Sequence, residues 1–256
     1  MTKILAITQA RYGSSRLPGK ILRKIKGKSL LEIHLERLSR SKKISKIKVA
    51  TTTEPEASLI TGIAAALGID AYRGSVDDVL ERFYFAALPE KPDYVVRLTS
   101  DCPLIDPVEV DKVITTCIDK KCDYASNTIE PTFPDGIDVE VFTFSALEIA
   151  YREATLKSDR EHVTPYIWRN SSEKGGLLFT SESVKNDRDF SKYRVTVDTE
   201  EDFILMYKII MEIGTEMTWM EYVSYLDAHP DIFQINSNEE RNEGYQKSLN
   251  NDKITS

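Results

Sequence analysis

What most constrains the fold of this chain is a regular alternation, over its first half, of short apolar runs with longer segments of helical period. Ile4 to Ile7 is a continuous apolar run of the kind shown by a strand buried on both faces. After a loop, Leu30, Leu31, His34, Leu35 and Leu38 recur at helical spacing, and Ile47 to Thr51 reads as a second strand. Pro55 stands at a first helical position ahead of a stripe of Leu59, Ile60, Ile63, Ala64 and Leu67, which Gly68 closes. Ile69 to Tyr72 is a short third strand. Ser75 then caps a helix carrying Val79, Leu80, Phe83 and Ala87, and Tyr94 to Leu98 is a fourth strand. Asp106-Pro107 opens a helix with Val110, Val113, Ile114 and Cys117 inside. The alternation predicts an α/β fold, a mainly parallel sheet sandwiched by helices.

After Tyr124 to Ser126, a further short strand, the rhythm changes. Residues 128–136 hold Pro131, Pro134 and Gly136, a loop, and Ile137, Val139 and Val141 then alternate with Asp138 and Glu140 as a half-exposed strand. Helices are expected to begin at Ser145 and Asp159, and Leu177 to Phe179 reads as a strand. Residues from about 127 to 190 thus form an inserted α+β lobe. The parallel pattern resumes at Tyr193 to Asp198 and leads into a helix with Phe203, Met206, Tyr207 and Ile210, capped by Thr199 and Asp202. Thr218 and Glu221 form a second capping box, for a helix running to about Ala228. The whole is one domain, 1–236, followed by a polar tail, 237–256, expected to be mobile or loosely packed.

In an open α/β sheet, ligands lie beyond the carboxyl ends of the strands. The first such end carries Thr8-Gln9-Ala10-Arg11-Tyr12-Gly13-Ser14-Ser15-Arg16-Leu17-Pro18-Gly19-Lys20. Gly13, Ser14 and Ser15 can turn backbone N–H groups toward an anion, and Arg11, Arg16 and Lys20 supply positive charge. A solvated connection has the same composition, and the spacing matches neither G-x-x-x-x-G-K-[ST] nor G-x-G-x-x-G. Two other strand ends offer isolated carboxylates, Asp101 and Asp198. Mg²⁺ accepts one or two carboxylates together with phosphate oxygens and water, so the pair suits a Mg-nucleotide site. Taken singly, Asp198 also reads as a helix cap and Asp101 as a turn residue.

Composition narrows the partners. A net charge of −7 argues against nucleic acid, yet Glu32 and Glu36 are the only acids in the first 48 residues, which are rich in lysine and arginine. Positive potential therefore concentrates near the first loop and favours a small anionic substrate. No apolar run reaches membrane-spanning length, and the chain is expected to be cytoplasmic, without membrane partners. Cys102, Cys117 and Cys122 lack C-x-x-C spacing and read as buried small hydrophobes.

In its ordered motifs the chain resembles the CMP-sugar synthetases, the cytidylyltransferases of 3-deoxy-manno-octulosonate and acylneuraminate. The motifs are Thr8 to Lys20, Ser100-Asp101-Cys102-Pro103-Leu104-Ile105-Asp106-Pro107 and Val197-Asp198-Thr199-Glu200-Glu201-Asp202. Arg73-Gly74-Ser75, the run from Asp77 to Tyr84, and Pro134 to Glu140 are most similar to the spore-coat-polysaccharide branch. The resemblance spans about residues 3–213. It implies a Rossmann-like fold of the nucleotide-diphospho-sugar transferase type and Mg²⁺-dependent transfer of CMP from CTP to an acidic sugar. The first loop, with Ala10, Arg11, Gly13, Ser14, Ser15 and Lys20, would hold the triphosphate, and Arg73-Gly74-Ser75 would lie beside cytosine and ribose. Asp101 and Asp198 match the family's metal-binding aspartates, and Arg11 and Lys20 join them as catalytic candidates. Homodimerisation through the inserted region is likewise implied.

The chain departs from the octulosonate enzymes where Thr99-Ser100-Asp101-Cys102-Pro103 replaces Gln-Gly-Asp-Glu-Pro and Ser75-Val76-Asp77-Asp78-Val79 replaces Ser-Gly-Thr-Asp-Arg. Acceptor-site candidates are Asp135, Asp138, Glu140, Arg160, Glu161 and His162; a capping or packing role for His162 stands beside the functional one. Trp168, Phe142 and Phe144 read as core or dimer contacts. Competing readings on the same fold are a sugar-nucleotide-binding glycosyltransferase, a non-catalytic binding module, and cytidylyl transfer to a phosphate or phosphonate acceptor.

Overall fold

The computed structural model describes residues 2–14 and 16–255. Strands β1 (Ile4–Gln9), β4 (Lys46–Thr52), β5 (Asp70–Gly74) and β6 (Tyr94–Thr99) run parallel, and β2 (Lys24–Ile25) and β3 (Lys28–Ser29) form a separate small hairpin. The sheet continues through β7 (Tyr124–Ser126), β8 (Glu140–Thr143) and β9 (Ser181–Ser183) to seven strands, in the order β5-β4-β1-β6-β8-β7-β9, with β8 antiparallel to both its neighbours. The expected α/β sheet is therefore observed. Its strand order reverses between β1 and β6, where a ligand crevice opens in such sheets.

Side-chain alternation assigns the two faces. Leu5, Ile7 and Val95 pack with α3 (Val79–Ala87) and α5 (Phe144–Glu153). Ile4, Ala6 and Val96 face α4 (Pro107–Lys120), whereas Val49 meets α1 (Leu30–Leu38) and α2 (Ala57–Ala66). Burial of each of the leucine, isoleucine and valine side chains among these contributes about 1.5–3 kcal/mol. A fourth cluster lies under α8 (Glu200–Ile213), α9 (Trp219–Ala228) and α10 (Pro230–Phe233) and includes Phe133, Tyr193, Val195 and Val197. Both predicted capping boxes form, Thr199 with Asp202 and Thr218 with Glu221.

Several expectations need correction. In α2 only the Ile60 and Ala64 side of the stripe is inside; Leu59 is 55% and Leu67 37% exposed, because a short helix against the β4–β5 edge presents a narrow face. The cap of α3 is Asp78, which accepts from Glu81 N at 2.8 Å, while Ser75 accepts from Asp78 N one turn earlier. Thr143, not Ser145, opens α5. Residues 137–139 precede β8, and Glu140 is buried between β6 and β7 instead of half-exposed. Leu177 is fully exposed in a turn, and the strand of that region is β9.

Tyr193 to Asp198 is extended but adds no strand to the sheet. Its backbone bonds to loops: Asp135 N donates to Tyr193 O (2.9 Å), Val195 N to Asp135 O (2.7 Å), and Val197 N to Asp101 O (2.8 Å). Residues 127–190 supply β8, β9, α6 (Lys157–His162) and α7 (Pro165–Arg169), so this region extends the same sheet. The tail is a helix, α11 (Glu243–Thr255), docked on α6. Its contacts are polar and aromatic, such as Ser248 Oγ to Glu161 (2.8 Å), and an apolar-periodicity argument does not register them.

Gly136 sits at φ +105°, and a Cβ there would meet the carbonyl carbon of Val195 at 2.6 Å. Gly136→Ala is expected to destabilise the fold by about 2–4 kcal/mol. The measurement is the urea midpoint at unchanged slope; a change below about 0.5 kcal/mol would show that the segment has room to move.

Candidate active site

The first loop folds back on itself, with Tyr12 O accepting from Ser14 N and Gly19 N, both at 3.0 Å. Lys20 then starts a short 3-10 turn whose first side chain is directed inward and buried. Its Nζ donates to Asp101 Oδ2 (2.8 Å), after β6, and to Asp198 Oδ1 (2.7 Å), before α8. Burial by itself lowers the Lys20 pKa, but the two carboxylates outweigh it and raise it. Burial likewise pushes Asp101 upward, and Lys20 with the Thr99 hydroxyl reverses that to hold Asp101 well below the usual carboxylate range. A second cation, Arg16, approaches Asp198 Oδ2 at 3.1 Å.

The alternation of the extended segment explains how Asp198 is aimed. Tyr193, Val195 and Val197 are core, whereas Arg194, Thr196 and Asp198 line the cavity. Arg194 is a hub: it donates to Asp202 Oδ1 and Oδ2 and to Asp198 Oδ2, each at 2.9 Å, and it pairs with Asp135. Although burial opposes its charge, these three acids raise the Arg194 pKa further.

The cavity, of about 780 Å³, extends from Lys20 past Asp198 to β8, α6, α7 and α11. Three acids at that far end are paired with arginines. Asp135 pairs with Arg194, Asp138 with Arg241, and Glu140 with Arg97. Glu140 Oε1 also accepts from Tyr124 and Thr164, both at 2.6 Å. Burial, reinforced by Asp135 and Glu140, raises the Asp138 pKa in spite of Arg241. His162 is held neutral, its pKa pushed down to about 4 by burial and then by Arg97, and it shares a 3.0 Å hydrogen bond with Ser248. Tyr245 packs edge-on against His162 and Trp168.

Of the sequence-predicted residues, the cavity brings together Ala10, Arg11, Ser14, Lys20, Asp101, Asp198, Asp135, Asp138, Glu140, Glu161 and His162. Ser15 lies outside the described residues. Gly13 is in the loop but off the lining. Arg73 is spent on structure, donating to the carbonyls of Thr52 (3.1 Å), Thr53 (3.0 Å) and Glu54 (2.9 Å), and with Ser75 it stays off the lining. Gly74 packs behind the cavity against Tyr72 and the stem of Arg82. Arg160 is tied to Asp78 at 2.6 Å and to Tyr151 O at 2.7 Å and faces away from the acceptor end. Phe142 is core as expected, but Trp168 lines the cavity.

Sequence reasoning assigned no role to Gln9, Arg82 or Arg97, all of which line it. A signal existed: Arg97 is a charge within a central strand, and Arg82 shares the inner side of α3 with Val79. Burial, then the nearby charge of Arg11, pushes the Arg82 pKa down to about 10.

The residues fit a divalent cation. The Lys20 ammonium is a stand-in, a cation shared by two carboxylates from different strand ends. Two such carboxylates leave the remaining coordination positions to phosphate and water, as Mg²⁺ prefers. Behind Asp101, buried His34 accepts from Thr8 Oγ1 (3.0 Å) through Nε2 and donates to Cys102 O (2.8 Å) through Nδ1. Burial lowers its pKa to about 4.

Residues 5–238 match the family model described as Cytidylyltransferase. The spore coat polysaccharide biosynthesis protein SpsF of Bacillus subtilis (strain 168) is 31% identical over 240 residues, 90% of this chain and 97% of that protein. An 8-amino-3,8-dideoxy-manno-octulosonate cytidylyltransferase of Shewanella halifaxensis is 34% identical over 197 residues, 75% of this chain and 70% of the relative. A solved cytidylyltransferase structure from Leptospira borgpetersenii serovar Hardjo-bovis has a TM-score of 0.85 at 34% identity, covering 94% of this chain and 99% of that one.

Two outcomes are expected from this geometry. Lys20→Met leaves Asp101 and Asp198, still 26% and 23% exposed, facing each other. The loss should be roughly 2–3 kcal/mol, the low end for a broken buried pair, and Mg²⁺ or Mn²⁺ should restore much of it in thermal melts; no cation response would remove the pair as a metal site. For His34, the folded pKa lies below the unfolded value of about 6.5, so the unfolded state binds the extra proton between the two. Stability should therefore fall as pH drops from about 6.5 toward 4, and His34→Gln should flatten that part of the denaturation profile.

Proposed function

This chain belongs to the cytidylyltransferase family, and from that premise we propose that it moves CMP from CTP to a hydroxyl of an acidic sugar. The acceptor is read as a 2-keto-3-deoxy sugar acid or a related surface-polysaccharide precursor, and pyrophosphate is the second product. The observation that carries this reading is the meeting of Lys20, Asp101 and Asp198 at the reversal in strand order, in one cavity with the first loop and the acid–arginine pairs. The relative named for 8-amino-3,8-dideoxy-manno-octulosonate supports the acceptor class.

The chemistry needs alignment and charge compensation more than a protein nucleophile. Arg11, Arg16 and Lys20, with the backbone of Ser14, face the triphosphate and oppose the charge that gathers on it as the bond from the α-phosphorus to its leaving oxygen breaks. The acceptor hydroxyl oxygen attacks from the β8 side, where Arg97 and Arg241 orient the sugar. Asp101 and Asp198 would hold a Mg²⁺ ion, which would supply further neutralisation and Lewis acidity when bound. Asp198, tied by Arg194 to Asp135, is the carboxylate common to both ends and the one assigned to receive the hydroxyl proton. Homodimerisation through residues 127–190 and a cytoplasmic location belong to the same reading; no helix among the described residues is long and apolar enough to cross a membrane.

The test is acceptor-dependent pyrophosphate release with Mg²⁺, each of the four nucleoside triphosphates, and a panel of 2-keto sugar acids and sugar phosphates. Release with CTP and a sugar acid is expected. Asp101→Asn should lower turnover by at least about a hundredfold while the fold is retained in circular dichroism, since the amide oxygen can still accept from Lys20 and Asp198 still neutralises it. Silence across the whole panel, or an Asp101→Asn variant at parental rate, would sink the assignment.

A further inference from the structure

Buried donors and acceptors are nearly always paired, so an unpaired one on a cavity wall indicates what the cavity is built to receive. Among the described residues, Nε and Nη1 of Arg82 are buried without a hydrogen-bond partner, and so is Oε1 of Gln9. Arg82 is only 1% exposed. Both residues line the same cavity.

Their elements aim them at one place. Along β1, Leu5 and Ile7 pack against α3, while Thr8 turns to His34 on α1. Period-two alternation therefore sends Gln9 to the α3 side. Arg82 is on α3, one turn after Val79, with its stem against Gly74. The Gln9–Arg82 corner lies between the first loop and β5, whereas Asp135, Asp138 and Glu140, with their arginines, lie beyond β6. With the triphosphate over the loop and the sugar beyond β6, this corner is left for the base.

We propose that Arg82 and Gln9 read the Watson–Crick edge of cytosine, Arg82 donating to O2 and N3 and Gln9 Oε1 accepting from the exocyclic amine. The inference rests on the CTP reading above. The guanidinium is planar, and each open donor makes an adjacent pair with Nη2, Nε on one side and Nη1 at the end; O2 with N3 is an adjacent pair of acceptors. In uracil, N3 carries a proton and position 4 is a carbonyl, so a donor would face a donor and an acceptor an acceptor. A site built to hydrogen-bond one base edge rejects the analogue that leaves its buried groups unpaired. Arg82 and Gln9 thus set donor specificity, not the rate of bond breaking.

The experiment measures affinities of the full chain for CTP, UTP, 2-pyrimidinone ribonucleoside triphosphate and inorganic tripolyphosphate by calorimetry. The parent protein should prefer CTP to UTP, with the pyrimidinone, which keeps O2 and N3 but lacks the amine, in between. Arg82→Met should weaken CTP by about ten- to a hundredfold, shrink the CTP to UTP ratio to the part that Gln9 alone supplies, and leave tripolyphosphate unchanged. Arg82→Lys should not restore the ratio, because an ammonium lacks the planar fork. A parent protein that binds CTP no better than UTP defeats the CTP reading itself. If the parent prefers CTP, three results overturn the Arg82 assignment alone: Arg82→Met keeping the ratio, CTP and UTP weakening equally with tripolyphosphate, or pyrimidinone binding no better than UTP. The last uses the unaltered protein and decides even if the buried substitution prevents folding; Gln9→Leu, whose side chain cannot accept from the amine, should equalise CTP and pyrimidinone.

Discussion

The structure around the crevice depends on one chain of charges, Lys20 to Asp198 to Arg194, with Asp101, Asp135 and Asp202 as its branches. Four acids from three separate segments would repel one another at these distances, and the two cations turn that repulsion into a fixed geometry. Buried ion pairs of this sort add little net stability once desolvation is counted, but removing one member is costly. Their effect is positional. The segment ending at Asp198 is held at the ends of β1 and β6 by charges and loop carbonyls, although no ladder of strand pairing reaches it.

The cavity has two electrostatic characters. On the loop side, Arg11, Arg16 and Lys20 gather beside Asp101 and Asp198, with Glu243 of the tail helix on Arg16, and this cluster of cations suits a polyanion. On the β8 side, Asp135, Asp138 and Glu140 are each matched by an arginine from another segment, Asp138 even by one from the tail. A ligand there meets a polar, nearly neutral wall. Of the four acids expected to recognise an acceptor, Glu140 is so fully bonded by Arg97, Tyr124 and Thr164 that its contribution is to hold Arg97 in place.

How much of this was legible in the sequence follows from what sets each element. The parallel strands and their helices announce themselves because burial on one or both faces imposes period two or 3.6, and the caps at Thr199 and Thr218 follow from local hydrogen bonding. The loop of Arg11 to Lys20 and the aspartates at positions 101 and 198 are legible because strand ends are known places to look. Residues whose position depends on partners far along the chain are not. Arg73 has the charge of a ligand-binding residue but is consumed by three backbone carbonyls of the β4–α2 loop. The tail helix is fastened by single contacts from Arg241, Glu243, Tyr245 and Ser248, none of which forms a pattern. Arg82 was concealed differently: its helix is apolar enough to read as plain core, and the open donors appear only when the cavity is drawn around them.

The extended segment from Tyr193 to Asp198 is shared strictly by turns between two tenants, the core taking the odd residues and the crevice the even ones. It therefore behaves like a reading frame. Insertion or deletion of a single residue would exchange the two faces, put Arg194 and Asp198 into the oil beneath α8 and bring Val195 and Val197 to the crevice wall. Length here is a chemical property: these six positions tolerate substitution but not insertion or deletion.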